Sequence, residues 1–416
     1  MMLFRLLWAS IFARKTMALL TCFSIGISLL VLLSVGHIES QLKLNFERSV
    51  SGVDLIVGSR TSQLNLLLFS IFKVGYPSNN LQWNSYLTIT ADPMVEWAVP
   101  ISLGDSHQGF GVVGTTTDYF THIKYGDKQA LEFASGQSFK QDSDVVIGAA
   151  VANDLAYDIG KQIVLAHGAG KVSFTQHKNH PFTVVGILKP SGTPMDRAIY
   201  IPIESVDILH NTTSQKHQHE DVQHHHDESD IEHGPQLSAL FVGATSPLAV
   251  LSLQRKISQF EQEPLTAILP GIALRELWHM LSAVEISLRV ISILVLFAAL
   301  IGMTTMLLAS MRERQHELSV LRALGARPWL ILLLVEAEAL LLTFLGAVMG
   351  YAMLSFGLTL LAPLLLREFS FSLSAYPDVT IFMSYLAMAL LVAMLLALIP
   401  AISAYKTSLQ RGLSFR

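Results

Sequence analysis

The chain has 416 residues, of which 51% are hydrophobic and only 14% are charged, with a formal net charge of −4. Soluble domains carry about 25% charged residues, so the composition predicts a membrane protein and disfavours a purely soluble one. Charge is concentrated in the middle of the chain, which indicates a few membrane spans together with a large water-exposed domain. The single cysteine, Cys22, excludes an intrachain disulfide and a cysteine-based zinc site.

Four segments are apolar and long enough to cross a hydrocarbon core of roughly 30 Å as helices. They are residues 17–36, 290–311, 339–366 and 379–404. The first is longer than the apolar core of a signal peptide, and no convincing small-residue cleavage motif follows it. We therefore expect an uncleaved membrane anchor there.

Lys and Arg near the span ends predict the orientation of the chain. Ten basic and two acidic residues lie in the N-terminal region, between the second and third spans, and in the C-terminal region. Residues 39–289, in contrast, carry 17 basic and 26 acidic residues. We expect both termini in the cytoplasm, with residues 39–289 and the loop at 367–378 on the outer side.

The long outer segment contains short runs of β-forming residues separated by Gly and Pro, and one run at helical spacing, residues 248–263. We predict a folded α+β extracytoplasmic domain, with residues 37–50 and 272–289 as helical stalks that continue the first two spans. The runs predicted as strands are residues 53–58, 86–90, 96–104, 109–116, 144–155, 161–166, 181–190 and 198–205.

The predicted fold class is an α-helical membrane protein with four transmembrane helices and a large α+β extracytoplasmic domain between the first and second. The predicted segments are 1–38 (cytoplasmic N-terminus and first transmembrane helix), 39–285 (outer domain with stalks), 286–311 (second transmembrane helix), 312–328 (cytoplasmic connecting helix), 329–366 (third transmembrane helix), 367–378 (outer loop), 379–404 (fourth transmembrane helix) and 405–416 (cytoplasmic tail).

No motif of an enzyme stands out. The chain has no G-x-x-x-x-G-K-[ST] loop, and the partial likeness HGAGKVS at 167–173 is better explained as a hairpin turn. No G-x-S-x-G context for a nucleophile is present. The carboxylate pairs Asp142/Asp144 and Glu261/Glu263 are expected to be solvated. We predict a non-catalytic membrane subunit, and nothing in the sequence indicates nucleic-acid binding.

The third apolar segment carries two features. Gly346 and Gly350 form a G-x-x-x-G step, which lets helix backbones approach closely, although Gly is also common in spans without such a role. Glu336 and Glu338 lie near the expected cytoplasmic start of this helix, where they suit the positive end of its dipole. An interfacial role is favoured for them over a proton relay.

The segment HELSVLRALGA, residues 316–326, has the pattern of a short amphipathic helix. Leucines recur at helical spacing on one face, charged residues cover the others, and Gly325 followed by Pro328 is a helix stop signal. Two interpretations are open: a helix lying on anionic lipid, or a peg that fits a groove in a cytoplasmic partner. The leucines of the face are Leu318, Leu321 and Leu324.

Residues 312–350 resemble the signature of the MacB/FtsX (type VII, mechanotransmission) family of ABC transporter permeases, which typically reads R-E-x-G-x-L-R-A-L-G-A and continues into a helix entered through a Glu and ending in small residues. The order of one span, a large domain and three spans also resembles the family, as do the first span and the closing stretch at 399–413. Ser408 stands where the family usually has Pro, and His316-Glu317 where it often has Gly; His and Glu favour helix more than Gly does.

The resemblance implies a permease subunit of a bacterial inner (plasma) membrane that works with cytoplasmic ABC ATPase subunits and a second permease copy, identical or paralogous. ATP would act through the ATPase and would not bind this chain. ATPase closure would push the second and third spans, and the stalks would carry the motion to an outer domain that handles a lipoprotein, peptide or other amphipathic cargo. The residues that the resemblance implies for ATPase coupling are Glu317, Leu318, Leu321, Arg322 and Gly325.

FtsX-like members imply an alternative, a signalling scaffold that controls a periplasmic enzyme. Either role could involve a periplasmic or outer-membrane partner, and neighbouring genes would distinguish the two.

A His-rich tract at 210–234 holds seven of the 15 histidines, with carboxylates between them and almost no apolar residues. This composition predicts a disordered loop, and its donors suit Zn²⁺, although no fixed tetrahedral spacing is present. A solvated insertion without a role, a zinc-linked role for the permease and a pH-responsive switch are the alternatives. The candidate metal ligands are His217, His219, His224, His225, His226 and His233.

Overall fold

In a computed structural model, the chain divides into two compact units. The structure describes residues 14–49, 51–75, 77, 79–167, 181–206, 234–313, 327–369 and 374–411. Unit 1 comprises Met1–Gln41, Ser282–Pro363 and Leu373–Arg416, and unit 2 comprises Leu42–Leu281 and Leu364–Ser372.

The helices, in chain order, are α1 (Lys15–Ser49), α2 (Gln63–Phe72), α3 (Trp83–Thr90), α4 (Asp118–His122), α5 (Ala149–Leu155), α6 (Pro247–Ser258), α7 (Pro270–Glu313), α8 (Pro328–Phe369) and α9 (Val379–Arg411), with a 3₁₀ helix at Pro194–Arg197. The strands are β1 (Leu55–Ser59), β2 (Val95–His107), β3 (Phe110–Thr115), β4 (Lys124–Tyr125), β5 (Gln129–Ala130), β6 (Phe133–Gly136), β7 (Asp144–Ile147), β8 (Gln162–Ile163), β9 (Ala166–His167), β10 (Phe182–Leu188), β11 (Ala198–Pro202), β12 (Ala239–Ala244) and β13 (Leu265–Ile268).

Four helices in the described part of the chain are long and apolar enough to cross a membrane. They are α1, α7, α8 and α9. A segment in hydrocarbon must satisfy its backbone hydrogen bonds internally, and uncharged runs of this length do so as helices. The predicted fold class, with four spans and a mixed α/β domain between the first and the second, is therefore confirmed.

Two of these helices are longer than a membrane crossing requires. Helix α1 has 35 residues and α7 has 44, which at about 1.5 Å per residue gives roughly 52 and 66 Å, against a hydrocarbon core of about 30 Å. Each continues without a break through the residues at which the chain passes from one unit to the other, so each contributes residues to both units.

The core of unit 1 is formed by the inward faces of the long helices. Ile25, Leu29, Met303, Leu342 and Ala389 are all at most 1% exposed and belong to one apolar cluster. Small residues recur along α9, where Ala389, Ala393 and Ala397 are fully buried. Because lipid is as apolar as this core, close van der Waals packing at small side chains is what holds such helices together.

Unit 2 is built on a mixed sheet. In the described residues the sheet has 11 strands, in the order β13-β1-β12-β2-β3-β11-β7-β10-β6, with β8 on β10 and β9 on β2. The β11–β3 and β10–β7 pairs are parallel and the other pairs are antiparallel. Strands β1, β11 and β12 are buried along their whole length, which explains why they are near-continuous apolar runs.

Helix α6 packs one apolar face against this sheet, and its sequence explains where the helix begins and which face is buried. Its N-cap is Ser246, whose hydroxyl accepts a hydrogen bond from the amide of Ala249, and Pro247 occupies the first turn, where no amide donor is needed. Val250, Leu253 and Ile257 lie at helical spacing and are buried against the sheet. The helix predicted for 248–263 is thus present as Pro247–Ser258.

Two strand predictions need correction. Residues 86–90, YLTIT, belong to helix α3, and only the first part of the run at 144–155 is a strand, since α5 begins at Ala149. In α3, Ser85 and Ile89 lie one helical turn apart and are the buried positions. Tertiary packing of that face overrides the local β propensity of the run.

The solvated position expected for Glu263 is also wrong. Glu263 is only 8% exposed. Its carboxylate accepts hydrogen bonds from the hydroxyl of Ser85, at 2.6 Å, and from the amide of Gln82, at 3.2 Å. It therefore satisfies the first turn of α3, where amide donors have no partner within the helix. Glu261, by contrast, is exposed.

Candidate functional site

The segment predicted to couple to an ATPase is only partly described. Residues 314–326 lie outside the described residues, and with them all five coupling candidates, Glu317, Leu318, Leu321, Arg322 and Gly325. The structure does describe the flanks: α7 ends at Glu313 and α8 begins at Pro328. Nη2 of Arg14 lies 3.0 Å from a carboxylate oxygen of Glu313, so an ion pair joins the start of α1 to the end of α7.

The His-rich tract lies outside the described residues as well, since these stop at 206 and resume at 234. The six candidate metal ligands therefore have no described position. Within the described ranges, no group of three or more His, Cys, Asp or Glu side chains could hold a metal ion. The hairpin turn predicted at 167–173 is likewise undescribed beyond residue 167.

Gly346 and Gly350 of α8 lie against α1. A Cβ atom built on Gly350 would be 2.4 Å from the carbonyl oxygen of Gly26, and one built on Gly346 would be 3.0 Å from the carbonyl oxygen of Cys22. A Cβ on Gly26 would in turn be 3.1 Å from the carbonyl oxygen of Gly346. The two backbones are close enough that any side chain at Gly350 would clash, as in small-residue helix pairs generally. We call these three glycines the glycine seam.

Sequence inspection does not single out Gly26 as the partner in this seam. It is one of two glycines in α1, with Gly36, and its place opposite Gly346 and Gly350 depends on the register between α1 and α8. Near the seam, the thiol of Cys22 lies 3.5 Å from the carbonyl oxygen of Leu342, which fixes the same register.

Polar contacts join α1 to α7 and to the segment before α9. In unit 1, Nη2 of Arg289 donates to carboxylate oxygens of Glu39 on α1, at 2.7 Å, and of Glu285 on its own helix, at 3.0 Å. His37 bonds through Nε2 to the carbonyl oxygen of Ser374, at 3.0 Å, and Gln41 accepts from the amide of Ser374, at 3.2 Å. These side chains therefore hold α1 against two other parts of the unit.

A separate aromatic cluster joins the same two helices within unit 2. The ring of Phe46 packs edge-on against that of Trp278, with centroids 5.4 Å apart, and against Phe72 of α2, at 4.4 Å. Nζ of Lys43 lies 5.8 Å from the centre of the Trp278 ring. Phe46 and Trp278 also pack on the main core of the sheet, so the ends of α1 and α7 are embedded in unit 2.

The two helices are connected to neighbouring strands. Helix α1 ends at Ser49 and β1 begins at Leu55, while β13 ends at Ile268 and α7 begins at Pro270. Strands β1 and β13 pair directly, with Ile56 opposite Ile268. A displacement of either helix end would therefore act on adjacent strands of one sheet.

Glu336 and Glu338 lie near the start of α8, which begins at Pro328. Glu338 is 2% exposed, and neither carboxylate oxygen of Glu336 is accessible to solvent. Both side chains belong to α8; Glu338 is buried in unit 1, whereas Glu336 is half-buried as a residue. The interfacial role favoured for both from the sequence stays a prediction.

Comparison with known proteins agrees with this architecture. Residues 18–260 match the model of the MacB-like periplasmic core domain, and residues 289–409 match that of the FtsX-like permease C-terminal domain. The solved periplasmic region of MacB from Actinobacillus actinomycetemcomitans is 13% identical, with a TM-score of 0.34 over 56% of this chain and 95% of that one.

The extracellular domain of the noncanonic ABC-type transporter YknZ from Gram-positive bacteria is also 13% identical, with a TM-score of 0.31 over 52% of this chain and 98% of that one. No curated protein matches the chain.

Four apolar helices with a mixed-sheet domain between the first and second define a multi-pass membrane protein of the permease class. Because the periplasmic-core model alone covers more than half of its length, the chain belongs to the MacB/FtsX-type family of ABC permeases. Members of this family are generally non-catalytic subunits that pair with a cytoplasmic ATPase subunit.

Proposed function

We propose that this chain transmits motion driven by a separate cytoplasmic ATPase to its periplasmic domain, which then handles a lipoprotein, a peptide or another amphipathic cargo. The observation that carries the proposal is the continuity of α1 and α7, each an unbroken helix with residues in both units. A displacement at one end of such a helix would be passed along it to the other end.

The connections within each unit suit such a relay. The Glu39–Arg289 ion pair in unit 1 and the Phe46–Trp278 contact in unit 2 hold α1 and α7 together at two levels. Both helices then join paired strands, β1 and β13. The buried glycine seam packs α8 directly against α1. A displacement of the start of α8 would therefore also displace α1.

The input to this relay would be the segment 312–328. The leucine face of this segment would bind the ATPase, with the basic residues around that face. The proposed coupling residues are Glu317, Leu318, Leu321, Arg322 and Gly325. The ion pair between Arg14 and Glu313 joins α1 to α7 next to this segment, so movement of the segment would reach both helices.

The proposed setting is a bacterial inner membrane, with both termini and the segment 312–328 in the cytoplasm. The excess of basic residues in those regions supports this orientation. The assembly would contain two ATPase subunits and two permease copies, identical or paralogous. The described spans expose many large apolar side chains, as expected of helices that face lipid.

A signalling scaffold is the alternative use of the same relay, with a periplasmic enzyme in place of cargo. The two differ in the partner of the periplasmic domain. Recovery of a lipoprotein or an outer-membrane factor with the native complex supports transport, and recovery of a cell-wall hydrolase supports signalling.

The coupling role is tested by replacing Leu321 with Asp, which puts a charge on the leucine face. Co-purification of the ATPase should be abolished, while the permease still inserts into the membrane. Ser319→Asp is the matched control, because it adds the same charge away from that face and should leave ATPase recovery unchanged. Equal ATPase recovery with both variants would contradict the coupling role.

A further inference from the structure

Glu336 is a half-buried residue whose carboxyl group has no hydrogen-bond partner. It lies in α8, eight residues after the helix begins, and both of its carboxylate oxygens are inaccessible to solvent and accept no hydrogen bond. On α7, the hydroxyl of Ser310 is also inaccessible to solvent and has no hydrogen-bond partner, and Ser310 is only 1% exposed. Unpartnered polar atoms inside a membrane unit are costly and point to a function.

The register of the two helices places these residues at one level. The hydroxyl of Thr343 on α8 lies 3.5 Å from the sulfur of Met303 on α7. The two helices run in opposite directions, and Ser310 and Glu336 are each two turns from that contact, toward the same end of the unit. A step of two turns, about 10 Å, returns to nearly the same face of a helix, so both residues lie on the sides along which α7 and α8 meet.

Apolar side chains surround this level. Met311, Ile331, Val335 and Ala401, from α7, α8 and α9, form one cluster and are each at most 7% exposed. An ionised carboxylate without a donor or counter-ion is disfavoured beside such a cluster. Neutralising the group removes that penalty.

The charged and titratable groups near this end of the unit do not supply the missing partner. Arg14 and Glu313 pair with each other, and Glu338 makes a contact of its own. Neither these side chains nor any other described residue hydrogen-bonds to Glu336. The remaining groups of this kind in the described part are Lys15 on α1, Arg312 on α7, Arg327 beside α8 and Tyr405 on α9.

A metal cation would need several oxygen ligands, and Glu336 and Ser310 together offer one carboxyl and one hydroxyl group. A proton needs only one carboxylate oxygen, and a protonated carboxyl can then donate to an acceptor such as a hydroxyl oxygen. We propose that Glu336, with Ser310 opposite, forms a proton-binding site inside the transmembrane unit.

The test uses dicyclohexylcarbodiimide, an apolar reagent that reacts with protonated carboxyl groups in apolar surroundings. The full-length protein in detergent should be labelled at Glu336, as located by mass spectrometry of its peptides. Above the midpoint the labelling rate should fall about tenfold for each unit of pH, as expected for a single proton. A water-soluble carbodiimide should instead label Glu313, whose side chain is 60% exposed.

Three variants complete the experiment. Glu336→Gln should lose the apolar label, whereas Glu313→Gln should keep it. Ser310→Ala should move the labelling midpoint to lower pH, because the protonated form loses its acceptor; an unchanged midpoint would remove Ser310 from the site. Absence of label at Glu336 in the wild-type protein, label at Glu338 instead, or labelling that does not change with pH would overturn the proposal.

Discussion

The backbones of Gly26 and Gly350 are in direct contact: a Cβ atom on Gly350 would lie 2.4 Å from the carbonyl oxygen of Gly26. Real Cβ atoms do not approach a carbonyl oxygen so closely, and the obstacle is backbone, which cannot rotate away. Helices α1 and α8 can therefore keep this separation only while position 350 has no side chain.

Replacing Gly350 with Ala should separate α1 from α8 and destabilise unit 1 by about 1–3 kcal/mol, the usual cost of overpacking a core. Gly357→Ala is the matched control on the same helix, because no atom lies within 4 Å of the position of its Cβ. That variant should be neutral or slightly stabilising, since Ala favours helix over Gly by up to about 1 kcal/mol. Thermal unfolding in detergent measures both, and equal melting temperatures would contradict the close contact.

Glu263→Ala should destabilise unit 2, because it leaves the hydroxyl of Ser85 and the amide of Gln82 without their acceptor. Leaving such buried donors unpaired costs about 1–3 kcal/mol. Glu261→Ala, two residues away and exposed, should change stability by less than about 0.5 kcal/mol. Tryptophan fluorescence during thermal unfolding of the full chain compares the two, and similar losses would argue against a special role for Glu263.

Much of the fold could be predicted from the sequence because composition decides it. In lipid, a run of uncharged apolar residues can satisfy its backbone hydrogen bonds within the segment only as a helix. The four spans could therefore be predicted from their composition and length. The continuation of α1 and α7 beyond their spans was also predicted, from the stalk segments at 37–50 and 272–289.

The features that local sequence did not predict depend on contacts between residues far apart in the chain. YLTIT at 86–90 alternates like a strand, but the acceptor for the first turn of this helix is Glu263, 178 residues from Ser85. The contact of Gly26 with Gly350 likewise depends on how helices are rotated and aligned, which the periodicity of one segment does not contain.

Stability should fall in acid partly because of His107, which is only 8% exposed. Its Nδ1 lies 2.7 Å from the carbonyl oxygen of Val164, and its Nε2 lies 3.0 Å from the hydroxyl of Tyr157. Burial lowers the pKa of His107, and the hydrogen bond to Val164 offsets this only in part. The unfolded chain therefore binds the proton more readily, so this contribution is present above about pH 6.5 and is lost as pH falls below it.

His107→Gln should accordingly reduce the drop in melting temperature between pH 7.5 and pH 5.5. His279→Gln is the control, since His279 is an exposed histidine of the same unit. If the wild-type protein and both variants lose stability in parallel, burial of His107 does not contribute.

The His-rich tract leads to a prediction about metal. With seven histidines and interspersed carboxylates, residues 210–234 should bind Zn²⁺ weakly and at more than one ion per chain. Deleting the tract from the full-length protein should remove most of the zinc measured by calorimetry, without changing the melting temperature. Equal zinc binding with and without the tract would contradict a metal-linked role.

The most direct test of the relay is to watch both units while ATP is hydrolysed. Because Cys22 is the only cysteine, a Cys22→Ser background allows spin labels at Leu248 in unit 2, which is 83% exposed, and at Phe344 in unit 1, which is 45% exposed. In the purified complex with its ATPase, trapping with ATP and vanadate should shift the distance distribution between the labels. The permease alone should show no shift, and an unchanged distribution in a complex that is hydrolysing ATP would contradict the proposed function.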